Sequence, residues 1–147
     1  MIQIGNLTDR TAGLRLSLVQ GSVRAGDREL DQPGTAAEVR QGQACVTAED
    51  GSARIEAEDS MAELAADTRV LIERVKPLRL RLRSGSLHLV GDARVSTALG
   101  VVELEQGEAD ILLVGGQLTV LAANGTVRFT GPDGVRSLEP GEPLRIP

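Results

Sequence analysis

The sequence has no tryptophan, no tyrosine and a single phenylalanine. It therefore lacks the aromatic platform on which single-stranded nucleic acid stacks. Aliphatic side chains must do the packing, and the 147 residues are enough to close one core. A lone cysteine excludes a disulfide scaffold, and one cysteine with one histidine excludes a zinc finger. No apolar run approaches the roughly 18 residues of a membrane-spanning helix. Acidic residues outnumber basic ones, 21 to 16, and the net charge of −5 argues against a nucleic-acid partner. The first 20 residues hold no basic start followed by an apolar stretch, so no secretory signal is read. The expected location is cytoplasmic, or periplasmic for a trimmed mature form.

What is present is alternation of period two. Residues 14–18, 78–83, 86–90, 117–121, 126–130 and 144–146 each place aliphatics on one face and polar groups on the other. Turn signals lie between such runs: Gln20-Gly21, Asp50-Gly51, Ser84-Gly85, Gly91-Asp92, Gly115-Gly116 and Asn124-Gly125. The pattern predicts roughly fifteen short strands in an all-β chain. Residues 60–75 could share a helical face through Met61, Leu64, Ile72 and Val75. Their β-branched content and the closing Pro77 favour short strands instead. No linker divides the chain, so residues 1–147 read as one domain. A core without large aromatics suits a narrow lumen lined by Val, Leu, Ile and Ala. The expected architecture is an irregular β-solenoid, a β-helix-like stack of short strands.

A series of motifs runs in a recognisable order between residues 44 and 146. Asp50-Gly51-Ser52 leads into Ala53–Ile55, and Asp59-Ser60 leads into Met61–Leu64. Leu82–Gly85 precedes Leu87, and Val95-Ser96-Thr97 follows. Gly116–Val120 and Leu138–Glu142 close the series. This order resembles the FecR-type domain of bacterial cell-surface signalling regulators. The resemblance implies an elongated β-solenoid-like module. The anti-sigma helix, membrane helix and receptor-plug-like domain of such regulators have no counterpart in the sequence.

Catalytic chemistry finds few candidates. His88, the only histidine, lies on the strand face opposite Leu87 and Leu89 and reads as an exposed strand residue. Cys45 reads as a small core residue. The pairs Glu56/Glu58, Glu103/Glu105 and Glu108/Asp110 have i,i+2 spacing, which sets both carboxylates on one side of a strand. Such pairs fit a calcium site, an acid–base pair or a solvated face, and the solvated face is favoured. There is no nucleophile elbow and no phosphate-binding glycine loop. The expectation is a non-enzyme without cofactor or metal.

Charge is segregated. Residues 49–67 carry seven acidic residues and one arginine, and residues 69–83 carry Arg69, Arg74, Lys76, Arg79, Arg81 and Arg83 with one glutamate. Arg79, Arg81 and Arg83 form a one-sided row, and like charges along one strand need compensation. Either acidic strands of the same chain supply it, with Glu56 and Glu58 as candidates, or another chain does. Open ends of a solenoid also invite stacking, with Ile2, Ile4, Leu144 and Ile146 as apolar contacts. The first expectation is thus a structural protein that self-associates into a filament or ordered oligomer. Functionally it would be similar to bactofilin-type bacterial cytoskeletal polymers. The alternative is a FecR-like signalling module that pairs an edge strand with a receptor or sigma-regulator segment.

Overall fold

A computed structural model describes residues 14–147. Of these, 71% are in strands and none is in a helix. The strands are β1 (Leu14–Gln20), β2 (Val23–Ala25), β3 (Arg28–Leu30), β4 (Ala36–Val39), β5 (Ala44–Thr47) and β6 (Ser52–Glu56). They continue with β7 (Ser60–Leu64), β8 (Arg69–Arg74), β9 (Leu78–Thr97), β10 (Gly100–Val114), β11 (Gln117–Gly131), β12 (Gly134–Ser137) and β13 (Pro143–Ile146). Residues 60–75 are two short strands, as their β-branched content favours. Ile2 and Ile4 lie outside the described residues.

The pairing has a simple logic. β1 pairs with β4 and β6, while β2 pairs with β3 and β5. Likewise β7 and β8 both lie along β9, and β12 and β13 both lie along β11. Neighbouring short strands are therefore halves of one bent ribbon. Five such pairs and the three long strands β9, β10 and β11 make a single antiparallel sheet. It curls into a nearly closed, barrel-like form. Stacked solenoid rungs are not what these pairings show.

The bends explain why the strands are longer than the sequence pattern suggests. In β10 the inward residues are Val102 and Leu104, then Ala109, Ile111 and Leu113. In β11 they are Leu118, Val120 and Ala122, then Val127 and Phe129. Each change from even to odd positions, or back, marks a bulge that turns the strand around the core. β9 bends at Gly85 and again at Gly91, so that Leu80, Leu89 and Val95 reach one shared core from successive segments. Gly91 pairs with Gly107 across β9 and β10. On the far side of β10, a Cβ on Gly125 would run into the Gln106 carbonyl. The bends of three strands thus line up.

Two buried threonines hold the bend between β7 and β8. Thr47 Oγ1 donates to the Ala65 carbonyl at 2.6 Å and accepts the Thr68 N–H at 2.9 Å. Thr68 Oγ1 accepts the Ser86 N–H at 3.1 Å and reaches the Ser86 carbonyl at 3.0 Å. The backbone leaves its regular ladder here, and the hydroxyls take up the donors and acceptors this frees. Near the C-terminus, Leu144 pairs opposite Val120 and is buried in the chain's own core. Ile146, opposite Leu118, packs against that core. Both side chains have their apolar partners within the chain.

Candidate functional site

The outward face of β9 carries the chemistry. Its first segment presents Arg79, Arg81 and Arg83, because Leu78, Leu80 and Leu82 point inward. After the bulge at Gly85 its second segment presents Ser86 and His88. One strand thus displays a basic row and then an imidazole on a continuous outer surface.

His88 is held more firmly than an exposed strand histidine. Its Nδ1 lies 2.7 Å from Asp110 Oδ1 and its Nε2 lies 2.8 Å from Glu108 Oε2. Asp110 sits directly opposite on β10, and Glu63 sits opposite on β7. Glu63 is paired with Arg54 at 3.3 Å, and Asn124 Nδ2 donates to Glu108 at 3.3 Å. Ionised carboxylates only accept, so both ring nitrogens must donate and the clamp selects the imidazolium. Partial burial pulls the pKa of His88 down. The hydrogen bonds and charges of Asp110, then those of Glu108, outweigh it and leave the pKa raised.

The sign of the pH effect follows. A raised folded-state pKa gives stability that is full below the ordinary histidine range and is lost as pH rises through the folded pKa. Melting temperatures of wild type and His88→Gln, compared from pH 5.5 to 9, should differ most at the acid end and converge at the alkaline end. Parallel curves would refute the clamp. The arrangement also limits catalysis, since a ring donating through both nitrogens has no lone pair left to accept a proton. Cys45 is fully buried, and burial pushes its thiol up to about 12. The thiolate a nucleophile needs is therefore scarce.

The structure separates the charge partners that the sequence grouped. Glu58 meets Lys76 at 2.7 Å, and Glu56 lies opposite Arg15 and Met61 on β6. Neither meets the arginine row. The neighbour of the row is β8, which places Arg74 directly opposite Arg79. Among the described residues, Arg69, Arg74, Arg79, Arg81 and Arg83 make no ion pair; Glu73, within the same strands, accepts a hydrogen bond from Ser96 at 3.0 Å. The other i,i+2 acidic pairs are engaged within the chain. Glu103 meets Arg94 and Glu105 meets Arg128, each at 3.0 Å, while Glu108 and Asp110 hold His88. Among the described residues no group of three or more His, Cys, Asp or Glu could hold a metal ion.

A cavity of about 590 Å³ opens at the mouth of the barrel-like sheet, beside the end of the row. Arg83, Asp67 and the backbone of Gly85 line one side. Leu99, Leu112 and Val114 line the other, and Val114 is 58% exposed. Sequence patterning gave no warning of this cavity, because its walls come from two hairpin tips and a strand bend. Among the described residues, no helix is long and apolar enough to cross a membrane. Compared with known proteins, the chain matches no family model, no curated protein and no solved structure.

Proposed function

We propose that the protein is a non-enzymatic protein-association module that uses the basic outer face of β8 and β9. One observation carries this reading: five guanidinium groups on two adjacent strands have no ion pair among the described residues, while the acidic pairs of β10 do. Uncompensated charge of one sign orients and accelerates association with a surface of the other sign. The clamped imidazole and the buried thiol support a role outside catalysis. The order of FecR-like motifs supports a signalling context, in which the partner is a receptor or sigma-regulator segment. The three successive segments of β9 around one core are the feature that supports a coil-like, solenoid-related description.

A second reading, self-association into an ordered oligomer or filament, is favoured by a different feature. β12 is an edge strand with every residue exposed, and Val135 on it is 68% exposed. Such an edge can template pairing with a second copy. Sedimentation velocity over a hundredfold concentration range separates the readings. Interference detection is needed, because a chain without Trp or Tyr barely absorbs at 280 nm. A monomer at every concentration is expected. Large species that grow with concentration and disappear in Val135→Lys would replace the first reading with self-assembly.

A further inference from the structure

We infer that the partner of the basic face is an extended acidic segment with carboxylates at alternate positions and an apolar anchor that enters the cavity at the end of the row. The inference rests on the protein-association reading and names the chemistry of the partner. Arg79, Arg81 and Arg83 are alternate residues of one strand, so they repeat at about 6.6 Å. An extended peptide repeats its own i,i+2 side chains at the same interval. Its carboxylates therefore fall in step with the guanidinium groups, which take carboxylates in a two-pronged geometry. Arg83 lies both at the end of this row and on the rim of the cavity. A segment following the row past Arg83 comes onto Leu99, Leu112 and Val114. Two of these are exposed large hydrophobics, Leu112 at 42% and Val114 at 58%, so the wall offers apolar surface for an anchor.

The occupant is better sought outside the chain than in a second copy. Of the three alternate acidic pairs named above, the two on β10 are held by their own cations: Glu103 by Arg94, Glu105 by Arg128, and Glu108 with Asp110 by His88. Of Glu56 and Glu58, the latter is held by Lys76, so only the pairs on β10 are fully engaged. Releasing them would break existing bonds for each new one formed. Nucleic acid is the other polyanion to weigh. The only aromatic residue, Phe129, is buried, so no base could stack beside the arginines. The apolar wall of the cavity would also have no part in phosphate binding.

The test uses the full chain and fluorescein-labelled nonapeptides of alternating glutamate and threonine, with two leucines at one end or the other. Binding is read by anisotropy. One of the two polarities is expected to bind, and to weaken at least tenfold between 0.05 and 0.5 M salt. Arg79→Glu/Arg81→Glu/Arg83→Glu should abolish binding while leaving the circular dichroism spectrum unchanged. Removing the leucines should weaken binding to wild type several-fold but change binding to Val114→Asp little, which assigns the anchor to the cavity. Equal binding of a lysine–threonine peptide, or an equal leucine effect in both proteins, overturns the inference. Failure of every peptide, with the chain still monomeric, overturns the partner chemistry alone. Tighter binding of a 20-nucleotide oligo-dT through the same arginines overturns the protein-association reading with it.

Discussion

Replacing Gly91 with alanine is expected to cost about 3–5 kcal/mol of stability. Two effects add. Gly91 has a φ of +105°, where an L residue is strained. A Cβ there would also run into the Asp59 carbonyl and crowd the Ser60 Cα, both main-chain atoms that cannot swing aside. The control is Gly34→Ala. Gly34 has a comparable φ of +89° but open space where the Cβ would go, so only strain remains, about 1–2 kcal/mol. Urea unfolding followed by circular dichroism measures both. Equal losses at the two sites would mean that β7 does not press against the bend of β9 as described.

Thr68→Val should cost about 1–3 kcal/mol, although the two side chains have nearly the same shape. Thr68 is fully buried, and its hydroxyl is the hydrogen-bond partner of both the Ser86 N–H and the Ser86 carbonyl. Valine leaves the Ser86 N–H without that partner, while the Ser86 carbonyl keeps the Ala65 N–H at 3.1 Å, and one unsatisfied group costs about 1–3 kcal/mol. Thr68→Ser keeps the oxygen and loses only a methyl group, worth about 0.8 kcal/mol. Serine should therefore recover most of the loss in the same urea titration. A valine variant as stable as wild type would show that the bend does not depend on this hydroxyl.

The all-β class was legible because alternation survives wherever a strand has one face on the core. Ser60–Leu64 and Arg69–Arg74 illustrate this: β-branched residues and inward Ala62, Leu64, Val70 and Ile72 outweigh a helical spacing. The barrel-like curl was not legible. Ser84-Gly85, Gly91-Asp92 and Asn124-Gly125 read as tight turns between short strands, yet each is a bend inside a long one. A glycine with positive φ serves either purpose, and only pairing across the sheet decides which. The clamp on His88 was hidden for a related reason. The hairpin that pairs Thr97 with Gly100, continued back without interruption, would set His88 opposite Ala109. The extra residue near Gln106, which has a φ of +46°, shifts the register so that Asp110 arrives instead. The basic row was visible as a row. That no ion pair meets it among the described residues was not, because the order of strands places β8, with Arg74, beside it instead of β6, with Glu56.

The aligned bends of β9, β10 and β11 also govern how this chain can change its length. Inside and outside swap parity at the bends of β10 and β11, so each bulge acts as a phase shift in the inside–outside code. Losing one residue at Asn124 would put the two halves of β11 back in phase. Leu118, Val120, Ala122, Val127 and Phe129 would then share one face of a straight strand, and the bulge that turns β11 around the core would be gone. A matching loss at Gln106 could restore registry with the neighbouring strand, but not the turn around the core. Length changes are therefore best accommodated at the hairpin tips, such as Gly115-Gly116 and Pro132-Asp133, where no code is being read.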